Sequence, residues 1–253
     1  MYHSVSDSVM DPSRVTVSPE HFGEQMQVLR ERFRPVGLSD YLERVRRRED
    51  LRNVVVVTFD DGYANNLRIA APILKDLDIP AVFYIATGYL GGEREFWWDE
   101  LEQLVFGPES LPDRLPDDGP HSNDPDISGL SRVELYWKLW HALVVRPADS
   151  QRQLLDRLGA WSGAQPCIRE SHRPMTPDEL VELSSIPGFE IGAHSKTHPR
   201  LSELEPSMAG SEIRDSAASI QNLLPTPVRH FSYPYGALSE EVKEMVRAAG
   251  FQS

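Results

Sequence analysis

Four consecutive valines, Val54 to Val57, run into Thr58-Phe59 and stop at Asp60-Asp61-Gly62. An unbroken apolar run of strand length predicts a strand over 54–59 that is buried on both faces. That pattern belongs to parallel sheets covered by helices. Parallel neighbours need crossovers, so the remaining chain must alternate helices with further strands. Residues 64–77 place Ala70, Ile73, Leu74 and Leu77 at helical spacing, with Pro72 forcing a late start or a kink. Residues 81–86 and 189–193 read as a second and a third strand, and 230–233 as a short fourth. Met1 to Val5 reads as a strand near the N-terminus, followed by an amphipathic helix over 19–33 with Phe22, Met26 and Leu29. Residues 207–224 align Ile213, Ala217, Ile220 and Leu224 on one helical face. Ser239 caps a last helix that has Glu240 and Glu241 in its first turn. The alternation predicts an α/β fold, either a barrel or a doubly wound sheet. In both, chemistry gathers at the carboxyl ends of the strands.

Residues 92–175 break this rhythm. Helical pieces over 97–106, 131–145 and 149–161 flank a stretch, 107–129, rich in Pro, Gly, Asp and Ser that reads as a loop. We read the segment as a helical insertion in one domain of 253 residues. All five tryptophans, Trp97, Trp98, Trp137, Trp140 and Trp161, fall in it. Most read as its core, with Trp98 a candidate to stack on a sugar. Lys plus Arg number 26 against 39 Asp plus Glu, a net charge of −13, which argues against nucleic acid as a partner. The single cysteine, Cys167, excludes an internal disulfide and a thiolate metal cluster. Any metal must therefore be held by histidine and carboxylate.

Three motifs supply such groups. Asp60 and Asp61 sit at the end of the valine strand, where two adjacent carboxylates repel each other unless a cation lies beside them. One could then ligate while the other serves as a base; a bare Asp-Asp-Gly reads first as a turn, and only its place after the valine strand makes the two readings even. His194-Ser-Lys-Thr-His198 follows the strand 189–193. Histidines four apart on a helical turn share a face and can chelate one ion. Alone they read as incidental surface residues, but with Asp61 they make a His₂-carboxylate set. Phe231-Ser-Tyr-Pro-Tyr-Gly236 offers a proline turn between aromatics that could line a sugar pocket through Tyr233 and Pro234, or be core. His3 lies at the end of the first strand.

Thr58-Phe-Asp-Asp-Gly62, His194-Ser-Lys-Thr-His198 and Tyr233-Pro-Tyr-Gly236, in that order, resemble the polysaccharide deacetylase family of carbohydrate esterases. The resemblance implies a distorted (β/α) barrel. It implies Asp60 as general base and Asp61, His194 and His198 as ligands of a divalent metal, zinc first and cobalt or nickel as alternatives. It implies Tyr235 as the backbone N–H of an oxyanion hole. Two departures stand out. Many members carry an arginine two residues before the motif proline, where this chain has Ser232, so something else must orient Asp60. Many also carry a late Leu-x-His acid, which is absent here. Met1-Tyr2-His3 resembles a subgroup that includes poly-N-acetylglucosamine deacetylases, in which an N-terminal histidine is the acid, and that implies His3.

The expected reaction is metal-dependent removal of N-acetyl groups from a GlcNAc-containing glycan, releasing acetate. The rivals are an O-acetyl esterase on a polymer such as acetylxylan and an inactive carbohydrate-binding relative. No secretory signal opens the chain, so the expected compartment is cytoplasmic as the sequence stands and extracytoplasmic if the N-terminus is incomplete. The ending at Gly250-Phe251 suggests truncation. No run reaches the ~20 apolar residues that span a bilayer.

Overall fold

A computed structural model of the chain describes residues 1–8, 10–116 and 126–252. The middle of the loop expected over 107–129, residues 117–125, lies outside the described residues. The strands are β1 (Ser4–Val5), β2 (Thr16–Val17), β3 (Arg34–Pro35), β4 (Val54–Val55), β5 (Val57–Phe59), β6 (Ala81–Ile85) and β7 (Phe189–Ala193). The α-helices are α1 (Pro19–Arg32), α2 (Leu38–Arg46), α3 (Ala71–Asp76), α4 (Trp97–Phe106), α5 (Arg132–Val144), α6 (Ala148–Ser162), α7 (Pro177–Ser184), α8 (Pro206–Leu223) and α9 (Glu240–Ala248). No helix among the described residues is long and apolar enough to cross a membrane.

The chain forms two compact units. The first comprises residues 1–92 and 170–253, the second residues 93–169. The second unit is shorter than the expected 92–175 insertion. Its return segment leaves early because the Ala64 N–H donates to Arg173 O and the Met175 N–H to Gly62 O, which tie 173–175 to the first unit.

In the first unit β5, β6 and β7 pair in parallel in that order. Tyr2 extends the sheet beside Phe59, and Phe231 extends it beside Ala193. Register puts Tyr2, Phe59, Phe83 and Ile191 in one row. Side chains alternate across a sheet. One face therefore carries the aromatic row and the opposite face carries Thr58, Val82, Tyr84, Glu190 and Gly192. The aromatic row packs tightly, with the rings of Phe59 and Phe83 stacked at 4.8 Å and Tyr2 at 5.6 Å from Phe59. Phe59 and Phe83 are fully buried with Phe22, Met26, Leu74, Leu180, Ile213 and Val246 from the helices. Each such side chain stabilises the fold by about 2–3 kcal/mol.

The valine run differs from the expected single strand. Val54 and Val55 pair with Arg34 and Pro35, whereas Val57 to Phe59 pair with β6. Only Val57 and Phe59 of the run are fully buried, because the chain changes partners at Val56. Around Pro72 the helix starts late, as a π-helical turn over Asn66–Ala70 gives way to α3 at Ala71. The fourth strand shrinks to the single bridge at Phe231.

The second unit buries Phe96, Trp97, Leu101, Leu104, Leu139, Leu143, Leu155 and Leu158 among α4, α5 and α6. Three of its buried carboxylates are paired with arginines. Arg169 bridges Glu95 at 2.8 Å and Glu102 at 2.6 Å, and Arg152 reaches Glu100 at 2.7 Å.

Candidate metal centre and active site

Asp60 and Asp61 leave β5 on a tight turn closed by the Gly62 N–H donating to Asp60 O at 3.0 Å. Asp61 has φ +74° and Gly62 φ +95°, so two consecutive residues lie in the left-handed region. Glycine adopts that conformation freely, and an aspartate pays on the order of 1 kcal/mol for it. The turn is fixed from outside, because the Ala86 N–H donates to Asp61 O at 3.0 Å.

His194 and His198 follow β7, but not on the helical turn expected from their spacing. Residues 194–198 form an irregular loop, with Ser195 at φ +60° and His198 at φ +61°. These bends, rather than a shared helical face, turn the two rings together. The loop is held from two sides. Its neighbour, the segment after β6, gives the Thr87 N–H to Ser195 O at 3.2 Å and the Gly88 N–H to Lys196 O at 2.7 Å. A Cβ at Gly88 would lie 2.7 Å from that same carbonyl oxygen, so only glycine permits the approach. From α8, the Glu212 carboxylate accepts the N–H groups of Lys196 at 2.9 Å and Thr197 at 2.7 Å, and the Thr197 hydroxyl at 2.7 Å.

The side chains meet at one point. His194 Nε2 lies 3.5 Å from Asp61 Oδ1, His198 Nε2 lies 3.2 Å from the same oxygen, and the two Nε2 atoms are 3.2 Å apart. Ligands about 2.05 Å from a tetrahedral zinc ion stand about 3.3 Å from one another. The triangle therefore has the dimensions of three corners of such a site. The protonation states fit as well. His194 Nδ1 lies 2.8 Å from the carbonyl oxygen of Ser232, so that nitrogen carries the proton and Nε2 presents its lone pair. Burial, then the neighbouring His198, hold the His194 pKa down at about 3, leaving a neutral imidazole at neutral pH. Burial alone would raise the Asp61 carboxyl, but the hydrogen bond and charge of His198 outweigh it and bring the pKa to about 2. A carboxylate and two imidazoles, buried together, are a donor set that could hold a divalent transition metal.

Asp60 stands beside this group and outside it. Its Oδ2 is 4.0 Å from His194 Nε2. Burial, then the charge of Asp61, push its pKa up to about 6. Two adjacent carboxylates are thus driven apart, one fully ionised and one able to take up a proton near pH 6. The Ser232 hydroxyl donates to Asp60 Oδ2 at 3.3 Å. The sequence reading sought the partner of Asp60 elsewhere. The signal available was alternation, since residue 232 lies between the core residues Phe231 and Tyr233 and must face the other way.

His3 reaches the same place through its backbone. The Tyr2 N–H donates to Thr58 O at 2.8 Å, the Asp60 N–H donates to Tyr2 O at 3.0 Å, and the Asn66 amide holds His3 O at 2.7 Å. His3 acts electrostatically on Asp60, Asp61 and His194. Tyr235 sits at φ +58° in the turn begun by buried Pro234, with its ring edge-on to His198 at 4.6 Å and beneath Arg200. Four of the left-handed non-glycine residues, Asp61, Ser195, His198 and Tyr235, are therefore gathered at one site, where backbone strain tends to mark function. Two expected sugar contacts are placed differently. The ring of Tyr233 packs on Phe231 at the edge of the apolar core. Trp98 is 6% exposed and stacked on Phe96 in the second unit, which leaves its ring no open face for a sugar.

The sequence pattern described as Polysaccharide deacetylase matches residues 47–109 and 158–253, more than half of the chain. The chain belongs to the polysaccharide deacetylase family. Over 73 residues it is 32% identical to a chitooligosaccharide deacetylase from Bradyrhizobium sp. (strain ANU 289), a match covering 28% of this chain and 33% of that protein. The chain thus spans about a third of the length of that curated relative. Among solved structures it resembles the deacetylase PplD of Streptococcus pyogenes, with a TM-score of 0.61, 17% identity, and coverage of 99% of this chain and 79% of that one. It resembles IcaB from Ammonifex degensii equally, with a TM-score of 0.61, 18% identity, and coverage of 99% and 78%. A de-N-acetylase from Aggregatibacter actinomycetemcomitans gives a TM-score of 0.60 at 17% identity, covering 99% and 83%. These likenesses establish the distorted (β/α) barrel of the family.

Proposed function

We propose that this deacetylase-family chain removes N-acetyl groups from a GlcNAc-containing polysaccharide or oligosaccharide, releasing acetate and a free amino sugar. Asp61, His194 and His198 would hold one divalent ion, and the triangle's dimensions suit zinc. When bound, such an ion supplies a Lewis acid for the acetyl carbonyl and acidifies a water. Asp60 takes the proton of the attacking water; its elevated pKa gives it the affinity to do so. The Tyr235 backbone N–H donates to the oxyanion of the tetrahedral state, a contribution of about 3 kcal/mol. The C–N bond breaks as protonated His3 delivers a proton to the amine, whose anion is too basic to leave. The proton taken up at Asp60 offsets the one given by His3, so water and the N-acetyl group balance as acetate and a protonated amino sugar.

The observation that carries this reading is the convergence of three ligand atoms within 3.5 Å of one another, with a second, less acidic carboxylate alongside. The identity to a chitooligosaccharide deacetylase supports an amide on a glucosamine polymer as the substrate. The test is acetate release from chitin oligomers and from poly-N-acetylglucosamine, in chelator and after zinc is restored. Release that depends on zinc is expected. No release with zinc restored, or equal release in chelator, would contradict the reading.

A further inference from the structure

The geometry points to Ser232 as the positioning residue for Asp60, a neutral hydroxyl standing where many family members place an arginine. The inference rests on the deacetylase reading above and deepens it. Among the described residues, the Ser232 hydroxyl is the hydrogen-bond donor that reaches the Asp60 carboxylate, at 3.3 Å on Oδ2. His194 Nε2 comes within 4.0 Å of the same oxygen but bears no proton there, because its Nδ1–H is committed to Ser232 O.

The serine is itself held rigidly. Its N–H donates to Ala193 O at 2.9 Å, its carbonyl accepts from His194 Nδ1 at 2.8 Å, and the preceding Phe231 is bridged to Ala193. With the backbone held on both sides, the side chain in its observed rotamer reaches across to Asp60. Residue 232 therefore does two jobs with different atoms. Its carbonyl fixes the tautomer of a metal ligand, and its hydroxyl turns Oδ2 of the base so that Oδ1 is left for the attacking water. Substitution of the side chain separates the two, since the carbonyl remains.

The experiment is a comparison of Ser232→Ala and Ser232→Thr with the unaltered chain, read as kcat, KM and zinc affinity by chelator competition. A double-mutant cycle of Ser232→Ala with Asp60→Ala, which removes the acceptor altogether, is run on urea unfolding of the metal-free protein. Ser232→Ala should lower kcat about tenfold while KM and zinc affinity stay within about twofold, and Ser232→Thr should restore most of the rate. The cycle should be non-additive by about tenfold in the unfolding constant, since the bond is to an ionisable partner. An additive cycle, an unchanged kcat, or a loss of kcat that tracks a loss of zinc would overturn the assignment. If the unaltered chain releases no acetate at all, the deacetylase reading fails, and the cycle still decides whether Ser232 holds Asp60.

Discussion

Replacing Asp60 with Asn removes a buried charge that stands beside a second carboxylate. In the metal-free fold its pKa stands at about 6 against an ordinary 3.8, because it is buried and faces Asp61. Between pH 3.8 and about 6 the folded chain holds a proton that the unfolded chain has lost. Stability therefore falls as pH rises through that window and stays lowered above it. At about 1.4 kcal/mol per unit, the deficit grows to about 3 kcal/mol at pH 6 and beyond. Asparagine cannot ionise, so the variant escapes it. His194 works in the opposite direction: its pKa is held at about 3 against 6.5, and it adds stability as pH rises from 3 to 6.5. The two slopes offset each other in the unaltered protein between pH 4 and 6, and Asp60→Asn exposes the rising one. The assay is urea unfolding in chelator at pH 4, 5, 6 and 7. The stability of the variant relative to the parent should climb by about 3 kcal/mol across that range, while the variant binds zinc and turns over no substrate. A pH-independent difference, or one that declines with pH, would refute the assignment of strain to Asp60. Retained turnover would refute its role as base.

Other expectations follow from the loop and its supports. Asp61→Asn or His194→Ala should abolish stoichiometric zinc binding, measured by metal analysis after dialysis, because each removes one corner of the triangle. Glu212→Ala, which frees the N–H groups of Lys196 and Thr197, should weaken zinc about tenfold to a hundredfold by chelator competition while leaving the circular dichroism spectrum unchanged. Gly88→Ala should cost about 1–3 kcal/mol in urea unfolding and weaken zinc as well, since its Cβ would meet Lys196 O at 2.7 Å.

Much of this site could be read from the sequence, for reasons that differ from residue to residue. Asp60 and Asp61 were legible because a β-branched strand must end somewhere, and two carboxylates at its end need an explanation. Strand β7 was legible to the residue, since Phe189–Ala193 lies between clear turn signals. The histidine pair was found for an incomplete reason. Spacing of four suggested a helix, whereas positive φ at Ser195 and His198 produces the convergence, and no local pattern marks a left-handed serine or histidine. Ser232 and Glu212 were missed because their roles are long-range. Ser232 acts on a residue 172 positions away, and Glu212 accepts from a loop 15 positions upstream. The partner switch at Val56 was also hidden, because four valines in a row look alike whichever strand they pair with.

Zinc titration of the metal-free chain, followed by calorimetry and by X-ray absorption of the loaded protein, tests the central claim most directly. One equivalent per chain, held by nitrogen and oxygen donors at about 2.0–2.1 Å and lost in His194→Ala, is the predicted result. Failure to take up zinc, cobalt or nickel, or uptake that survives removal of His194 and His198 together, would contradict it.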